Sequence, residues 1–535
     1  MLRIRCFKFY TLFIMVINIK QVTKFLPFSF LIPLASCVQE QRPNVIFILS
    51  DDHTTQAISA YGSIYEDICP TPNIDKLAAE GMLFTNAFCT NSISGPSRAS
   101  ILTGLYSHVH GFYKNEGGLP FDSTLMTFPR LFHENGYNTA MVGKWHLWSQ
   151  PVGFDYFRYH TLGAEQGVYW NPVWNENGKL VPEKGYATTL TAKAAINWLE
   201  NLRDKSKPFC LLYHFKAPHR PWQPDSCYQN IFDGVEMPYP ATFNDDYSTR
   251  EMTAGNTQMT IMSHLNRQDL KFKVPDNLPE NELSKWLRHG NNGEFLTPHD
   301  SLQGESLKRW KYQRYIKDYL ATAKSVDDEV GNLMKYLKDT GLDKNTIVVY
   351  CGDQGFYLGE HGWFDKRFMY EESLRMPFIM RFPKKIKANK KESKFITNVD
   401  FAPTLLDMCG ITIPATMQGK SFKNIAEGKT NDKIRDAVYY HYYEFPYWHH
   451  VEPHYGIRTS RYKLIHFYYS MDVWEMYDLE NDSGELCNIY NSLEYADIQS
   501  QLHTQLKHLQ LEAKDNGTLE EYRELTSKNL RKLNQ

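Results

Sequence analysis

The sequence carries almost no net charge, and this excludes one broad class of function. Its 59 Lys and Arg residues are nearly balanced by 61 Asp and Glu residues, which leaves a formal charge of −2 over 535 residues. A protein that binds the nucleic-acid backbone needs a strongly basic surface, and nothing in this composition supplies one. We therefore expect no nucleic-acid partner. An anionic substrate would have to be bound by a few local cations.

The chain also lacks short-period repeats, long low-complexity tracts and cysteines at metal-ligand spacing. No repeat architecture and no cysteine-based metal site is predicted. Most of the cysteines beyond Cys37 are expected to be buried as small apolar side chains. Whether Cys210 and Cys227 form a disulfide is a question that the sequence leaves open. The seven cysteines in this part of the chain are Cys69, Cys89, Cys210, Cys227, Cys351, Cys409 and Cys487.

The first 37 residues are predicted to be a secretory signal. Basic residues precede an apolar stretch, and a second apolar run from Phe25 ends at Leu34-Ala35-Ser36-Cys37. These last four residues resemble a bacterial lipobox, in which Cys37 would carry a lipid after cleavage. The alternative is an uncleaved membrane anchor. Either a cleaved signal or an anchor would place the rest of the chain outside the cytoplasm. We expect an exported bacterial lipoprotein, periplasmic or on the cell surface, that contacts the membrane only through a lipid at Cys37.

The rest of the chain alternates short apolar segments with amphipathic ones, which predicts an α/β fold with a mainly parallel sheet. Residues 44–50, 209–215 and 346–351 are near-continuous apolar runs, as expected for strands buried on both faces. Long helices are predicted over residues 187–202 and much of 307–340. The polar stretch 223–304 is predicted to be a long insertion.

The residue pattern of the sequence changes after about residue 431. Aromatic, strand-like segments at 437–443 and 462–469 are followed by a charged helical segment near 498–515. This predicts a smaller α+β subdomain. The expected organisation is a lipoprotein signal over residues 1–37, a large α/β domain over 38–430 and a C-terminal subdomain over 431–535.

Residues 94–104, Ser-Gly-Pro-Ser-Arg-Ala-Ser-Ile-Leu-Thr-Gly, are the most informative segment. Pro96 is favoured in a first helical turn, so Ser94 is predicted at a helix N-terminus. There the backbone N–H groups and the helix dipole would face an anion, and Arg98 would add a positive charge. This arrangement suits a nucleophile that attacks an anionic ester. The alternative is a serine that caps an ordinary helix.

Polar side chains also follow four of the predicted strands. Because ligands bind beyond the carboxyl ends of parallel strands, these side chains are expected to converge on one site. Taken singly, each has a commoner explanation: acidic pairs cap helices, and a lone histidine or lysine is often structural or solvated. The residues concerned are Asp51 and Asp52, Lys144 and His146, His219, and Asp353 and Gln354.

Four of these residues offer hard oxygen donors, namely three carboxylates and the side-chain carbonyl of Gln354. Such donors suit Ca²⁺ or Mg²⁺, whereas zinc prefers nitrogen and sulfur. One metal ion is therefore predicted at this site. Its candidate ligands are Asp51, Asp52, Asp353 and Gln354.

Residues 94–104 match every fixed position of the signature of type I sulfatases, in its serine form, and the chain resembles that family over nearly its whole length beyond the signal. Residues 359–366, 370–377, 456–463 and 477–485 carry further similarity. The resemblance implies an alkaline-phosphatase-like fold with a mainly parallel central sheet, plus a small C-terminal α+β subdomain with an antiparallel sheet. It also implies that Ser94 is oxidised to formylglycine (3-oxoalanine) by an anaerobic sulfatase-maturing enzyme.

The resemblance further assigns roles to the converging residues. The hydrate of the modified Ser94 would attack the sulfur of a sulfate ester and would also ligate one Ca²⁺ ion. The family usually has Asn or His where this chain has Gln354. A plain serine would leave a stable sulfate ester, whereas a hydrate has a second hydroxyl that can expel the sulfate. The implied calcium ligands are Asp51, Asp52, Ser94, Asp353 and Gln354.

Cations and histidines complete the implied machinery. Arg98 would stabilise the nucleophilic oxygen, and Lys144 and Lys366 would neutralise the sulfate oxygens. His219 would also contact the sulfate and protonate the leaving alcohol, a role that Lys366 could share. His146 would take a proton from the sulfated hydrate and so release sulfate.

The expected substrate is a sulfated glycan. Residues 163–179 are similar to those of bacterial enzymes that act on N-acetylglucosamine 6-sulfate, which predicts removal of the 6-O-sulfate in heparan- or mucin-type glycans. Asp365, Arg367 and His454 are predicted to bind the sugar, with surface ion pairing as the alternative. Aromatic residues at 169–174 and 442–448 could stack on sugars or pack in the core.

Two other functions remain open from sequence. A phosphatase, phosphodiesterase or phosphonate hydrolase would share the fold, and many such phosphatases use two zinc ions and an unmodified Ser or Thr. The other is a glycan-binding lipoprotein on an inactive sulfatase fold. The oxygen-rich single metal site and the full signature argue against the first, and the complete set of implied catalytic positions argues against the second.

Overall fold

The structure is a computed structural model that describes residues 41–115, 119–266, 268–271, 280 and 301–533. Residues Arg42–Gln535 belong to one compact unit. The predicted signal, including Cys37, and much of the predicted insertion lie outside the described residues. Within the described part of the chain, no helix has the length and apolar character needed to cross a membrane.

The largest sheet has ten strands, and its centre is parallel as predicted. Four neighbouring strands, in the spatial order β9, β1, β8 and β4, all run in the same direction. Ser50 at the end of β1 pairs with Gly352 of β9 on one side and Phe215 of β8 on the other. The ranges are β1 Asn44–Ser50, β4 Asn138–Gly143, β8 Phe209–Phe215 and β9 Thr346–Gly352.

The edges of this sheet are mixed. On one side β12 runs antiparallel to both β9 and β2, and on the other β5 continues the parallel set before two antiparallel strands. The full order is β13-β2-β12-β9-β1-β8-β4-β5-β6-β7. The remaining ranges are β2 Met82–Phe84, β5 Tyr156–His160, β6 Val173–Glu176, β7 Lys179–Pro182, β12 Phe378–Arg381 and β13 Lys390–Glu392.

Two short sheets lie outside the main one. The first pairs β10 with β11, and the second pairs β3 with β14. Their ranges are β3 Ala87–Phe88, β10 Tyr357–Leu358, β11 Phe364–Asp365 and β14 Ile396–Thr397.

Strand β1 explains why both faces of the central sheet are covered. Its side chains alternate, so that Val45, Phe47 and Leu49 pack into one apolar cluster while Ile46 and Ile48 pack into another. Helices supply the facing side chains on each side, which gives the three-layer arrangement expected of an α/β domain.

The α-helices include the two long ones that the sequence predicts, over 187–202 and 307–340. The first is α5, which continues as a π-helical turn over Trp198–Leu202, and the second is α7. The helices described are α1 Pro72–Ala79, α2 Ser94–Thr103, α3 Ser107–His110, α4 Phe128–Glu134, α5 Ala187–Asn197, α6 Ile261–His264, α7 Gly304–Asp339, α8 Glu371–Leu374, α9 Phe401–Met408, α10 Lys423–Ala426, α11 Ala496–Ala513 and α12 Leu519–Leu533.

A separate four-stranded antiparallel sheet follows, as predicted for the C-terminal region. Its strands are β15 Ala437–Tyr442, β16 His454–Thr459, β17 Tyr462–Phe467 and β18 Val473–Asp478, paired in chain order. Leu502 and Leu506 of α11 pack with Ile457 and Leu464 of this sheet. The predicted boundary at residue 430 stays a prediction.

All seven cysteines beyond Cys37 are free thiols, and five of them are buried. Cys210 is buried within β8, whereas Cys227 is exposed. The disulfide left open by the sequence is therefore not formed, and most of the cysteines are small core residues as predicted.

Candidate active site

Ser94 begins helix α2, which confirms its predicted place at a helix N-terminus. The preceding residue, Ile93, is extended, and the helix ends at Gly104 in a left-handed conformation. Ser94 is buried, and its Oγ donates a hydrogen bond to Oδ1 of Asp51 at 3.0 Å. The helix therefore delivers the side chain directly to the end of strand β1.

Helix α2 is held in place by polar contacts, although every one of its residues is buried. The Oγ of Ser97 donates to the backbone oxygen of Asp353, and the side-chain amide of Asn398 donates to Ser97 at 2.9 Å. Ser100 contacts the ring of His110 at 3.1 Å. Since buried hydroxyls need partners, these contacts fix the helix against the strand ends.

The predicted oxygen donors meet where β1 and β9 end side by side. The backbone N–H of Asp52 donates to Oδ1 of Asp353 at 3.0 Å, and Nε2 of Gln354 lies 2.5 Å from Oδ1 of Asp52. All three carboxylates in this group, including Asp51, are fully buried. The parallel register of the two strands explains the convergence, because Ser50 and Gly352 are direct partners.

The carboxylates of this group are buried close together, and this raises the pKa of two of them. Burial raises the pKa of Asp353 to about 8 and that of Asp52 to about 6, and neighbouring carboxylates reinforce both shifts. Burial also opposes ionisation of Asp51, but Lys144, His219 and Arg98 outweigh it and hold the pKa of Asp51 well below its usual range.

The donor set fits a hard divalent cation. The Oε1 atom of Gln354 is buried and has no hydrogen-bond partner among the described residues, as expected of a carbonyl that is available to a metal. Rotating the amide exchanges its oxygen and nitrogen, so the oxygen can face the carboxylates. Oxygens of Asp51 and Asp52 and a ring nitrogen of His219 also lie within 4.8 Å of one another. His219 also lines the cavity described below.

Three cations surround these carboxylates. The ammonium of Lys144 is paired with Asp51, and that of Lys366 lies 2.6 and 2.8 Å from the two oxygens of Asp52. The guanidinium of Arg98 lies 3.3 Å from Asp353 and 3.7 Å from Asp51. Arg98 also donates to the backbone oxygen of Lys144 at 2.9 Å. The three predicted cations are therefore all paired with carboxylates of one cluster.

Both predicted histidines belong to the same site. Nδ1 of His219 lies 2.8 Å from the backbone oxygen of Arg220, which leaves Nε2 directed to Asp52 at 3.8 Å. His146 has a left-handed backbone, with φ 56°, and its Nδ1 atom is buried without a hydrogen-bond partner in the described part of the chain. Burial and the nearby Lys144 hold the pKa of both imidazoles well below its usual range.

A cavity of about 650 Å³ opens onto this cluster, a size typical of small-molecule sites. Its lining includes His146, His219 and Lys366, together with the predicted sugar-binding residues Asp365 and Arg367. Ser94 and the candidate metal ligands are not lining residues. Asp52 contacts the lining residues Lys366 and His219 directly, and Asp353 in turn contacts Asp52.

The third predicted sugar-binding residue, His454, lies elsewhere. It is fully buried, with Nδ1 at 2.7 Å from the backbone oxygen of Glu452, and its ring stacks on Phe368 and Tyr440. It does not line the cavity. His449, five residues earlier in the chain, does line the cavity beside His146 and His219, and its Nε2 lies 3.0 Å from Oδ2 of Asp365.

Other contacts of the site were missed by the sequence analysis. Arg367 donates to Glu444 at 2.7 Å and lies 3.2 Å from the hydroxyl of Tyr442, so the C-terminal region orients this cavity residue. Lys144 contacts the side chain of Gln166, which also lines the cavity. The sequence signals for these partners are the aromatic segment 442–448, which contains Tyr442 and Glu444, and segment 163–179, which contains Gln166.

The aromatic residues of segment 169–174 divide between the cavity and the core. Tyr169 and Trp170 line the cavity, whereas Trp174 is fully buried and packs on His160. Tyr169 and Trp170 are also buried and belong to an apolar core cluster, so core packing is confirmed for this segment and stacking on a sugar stays a prediction.

A family comparison assigns this arrangement to a class of enzymes. Residues 43–411 match the family described as Sulfatase, and residues 359–512 match the one described as N-sulphoglucosamine sulphohydrolase, C-terminal. The chain belongs to the sulfatase family. Membership implies an enzyme that hydrolyses sulfate esters, with a formylglycine residue and a divalent metal ion.

Individual relatives agree with this assignment. The chain is 46% identical to an N-acetylglucosamine-6-O-sulfatase of Bacteroides thetaiotaomicron, over 93% of each chain. It is 28% identical to an N-acetylglucosamine-6-sulfatase of Capra hircus, over 75% of this chain and 66% of that one.

Solved structures confirm the fold. A protein in complex with its substrate D-glucosamine-2-N,6-O-disulfate matches with a TM-score of 0.85 and 46% identity, over 90% of this chain and all of the other. A phosphonate monoester hydrolase of Agrobacterium radiobacter matches with a TM-score of 0.66 at 20% identity, over 88% of this chain and 96% of that one. The second likeness shows the fold alone, which is alkaline-phosphatase-like as predicted.

Proposed function

We propose that this chain removes the 6-O-sulfate from N-acetylglucosamine residues of sulfated glycans. The observation that carries the proposal is its 46% identity, over 93% of both chains, to a relative named for this activity. The site is consistent with it, since a serine at a helix N-terminus, oxygen donors and three cations meet behind a cavity that could admit a sugar.

For the metal we propose one Ca²⁺ ion held by Asp51, Asp52, Asp353, Gln354 and an oxygen of residue 94. Ca²⁺ accepts six or more oxygen ligands, and this donor set has no sulfur. When bound, the ion supplies positive charge beside the reacting oxygen and the sulfate. Asp353, whose pKa is raised by burial and by the neighbouring Asp51, would gain a counter-charge from it.

For the nucleophile we propose that Ser94 is oxidised to formylglycine by an anaerobic sulfatase-maturing enzyme. One hydroxyl of the hydrated aldehyde would attack sulfur, and loss of a proton from the other would then break the C–O bond to sulfate and re-form the aldehyde. The contact between Ser94 and Asp51 places this residue beside both the metal ligands and Lys144.

The surrounding side chains then have separate tasks in binding the ester. Lys144 and Lys366 neutralise the sulfate oxygens, and Arg98 holds the carboxylates in place. These cations are fixed before the substrate arrives, so little reorganisation is needed during the reaction.

One histidine donates a proton in the proposed reaction, and another accepts one. His219 is oriented by the backbone oxygen of Arg220, so its Nε2 can deliver a proton to the leaving alcohol. Burial and the nearby Lys144 hold the pKa of His219 low, and a bound sulfate would counter the charge of Lys144. His146 has a buried Nδ1 without a partner among the residues described here, and it accepts a proton when sulfate is released.

For the sugar we propose that Asp365 and Arg367 hydrogen-bond to ring hydroxyls. Both line the cavity next to Lys366, and both are held by side chains of the C-terminal region. The proposed glycans are of the heparan or mucin type, and the proposed location is the periplasm or cell surface, with a lipid at Cys37.

The test is release of inorganic sulfate by the matured protein. N-acetylglucosamine 6-sulfate should be hydrolysed far faster than the 3-sulfate or than a phosphate monoester, and Lys366→Ala should lose at least a hundredfold in kcat/KM. Binding of a sulfated sugar without turnover would instead support the glycan-binding alternative. Two zinc ions per chain with phosphate release would support a phosphatase.

A further inference from the structure

Residues 448–450 hold an unusual backbone at the mouth of the cavity. Trp448, His449 and His450 all have positive φ values, of 22°, 75° and 51°. L-residues with side chains rarely adopt this region, and three in succession must be held there by their surroundings. Such strain concentrates at functional sites, and Asp365 and Arg367 of the same cavity share it.

His449 holds this segment in place. Its Nδ1 lies 2.8 Å from the backbone oxygen of Gln258, and its own backbone oxygen accepts hydrogen bonds from the N–H of Gln258 at 2.7 Å and from Thr257 at 3.1 Å. Its Nε2 lies 3.0 Å from Asp365, and its ring meets Phe364 edge-on. The segment is therefore tied to two separate parts of the fold.

The side chains beside the proposed sulfate site are buried, and exposure to solvent increases from Asp365 to His449 and Trp448. Lys366, in the sulfate site, is 3% exposed, and its neighbour Asp365 is 2% exposed. His449, which contacts Asp365, is 8% exposed, and Trp448 is 55% exposed while still lining the cavity. The indole thus lies at the outer end of a path that starts at the sulfate site.

We propose that Trp448 forms a stacking platform for a second sugar ring of the substrate, the ring linked to the sulfated residue. The inference rests on the proposed function, because the first ring occupies the inner cavity beside Asp365 and Arg367. A large, half-exposed aromatic side chain that lines the cavity suits the apolar C–H face of a pyranose, and an indole has few rotatable bonds to fix on binding. The platform contributes binding only when a second ring is present.

The test compares two substrates in each variant. These are N-acetylglucosamine 6-sulfate and a disaccharide with that residue at its non-reducing end. Trp448→Ala should lower kcat/KM on the disaccharide about five- to tenfold and leave the monosaccharide within about twofold. Trp448→Phe should recover most of the loss, because a ring face remains. Leu493→Ala, which alters another exposed apolar side chain, should change neither value.

Other outcomes overturn the inference. An equal loss on both substrates would mean that Trp448 supports the fold or contacts the sulfated ring itself. No loss on either would mean that the indole touches no sugar. If the unaltered protein hydrolyses neither substrate, the proposed function fails, and the inference fails with it.

Discussion

Gln354 is the residue of the site whose surroundings point most directly to a cation. Its Oε1 atom is buried and has no hydrogen-bond partner among the described residues, while its Nε2 donates a hydrogen bond to Oδ1 of Asp52. We predict that Ca²⁺ raises the melting temperature of metal-free protein, and that Gln354→Ala shifts this response to at least tenfold higher Ca²⁺. Gln354→Asn should retain most of the response, because it keeps a carbonyl donor.

The measurement is a Ca²⁺ titration of thermal unfolding after removal of metal with a chelator. Asp432→Asn, which alters an exposed carboxylate, is the matched control and should behave as the unaltered protein does. An identical Ca²⁺ response in Gln354→Ala would show that this residue is not a ligand.

Residue-scale prediction from sequence succeeded where side chains follow strands. Asp51, Lys144, His219 and Asp353 could be predicted because each stands at or shortly after the end of an apolar run. His449 could not, because its contact with Asp365 spans 84 residues and leaves no local pattern. Nothing in their spacing distinguishes the histidines at 449, 450 and 454. The sequence therefore predicts His454 as a sugar-binding residue, although this side chain packs in the core.

At the scale of elements, Lys366 of the site directly follows β11, and the loop that joins β10 to β11 contains a buried ion pair. His361 in this loop is fully buried, with Nδ1 at 2.7 Å from Asp245 and Nε2 at 3.7 Å from Glu372. Burial alone would lower the pKa of His361, but these two carboxylates outweigh it and raise the pKa to about 9. The folded protein therefore favours the protonated imidazole.

This pair predicts a pH dependence of stability. Because the pKa of His361 is raised above its unfolded value of about 6.5, its contribution is complete below that pH and is lost as the pH rises through about 9. The free energy of unfolding should fall by roughly 3 kcal/mol more in the unaltered protein than in His361→Gln over this window.

Urea unfolding at pH 6, 7.5 and 9 measures this difference. His508→Gln, at an exposed position, serves as the control and should keep the full pH dependence. A His361→Gln variant that lost stability with pH as steeply as the unaltered protein would show that other groups cause the effect.

Elements themselves were predicted well where the apolar pattern is strong. The run 209–215 is a strand with the bounds expected, and helix α7 begins and ends within three residues of the predicted range. Strand β6, between β5 and the edge strand β7, could not be predicted, because only Trp174 of its four residues is buried and the strand takes its conformation from pairing with both neighbours.

At the scale of the whole molecule, the C-terminal sheet is bound to the active-site region through buried charges. Arg367 pairs with Glu444 at 2.7 Å, and Glu371 pairs with both Arg458 and Lys463 at 3.1 Å. Side chains of the sheet also enter the same apolar cluster as one face of the central sheet. Separating the two parts would leave buried charges without partners, at a cost of several kcal/mol.

We therefore predict that a chain ending at residue 430 does not fold cooperatively. It should be insoluble or show no sharp thermal transition by circular dichroism, whereas co-expression with residues 431–535 should restore a soluble complex. A soluble chain with a cooperative transition would establish residues 38–430 as an independent domain, as the boundary predicted from sequence supposes.

The central claim is that Ser94 becomes the nucleophile of a sulfatase. Its most direct test is peptide mass spectrometry of the segment that contains Ser94, in protein co-produced anaerobically with a sulfatase-maturing enzyme. The account predicts a loss of about two mass units, as oxidation of the alcohol to an aldehyde requires, together with sulfate release that Ser94→Ala abolishes. An unmodified Ser94 in protein that still hydrolyses the ester would contradict it.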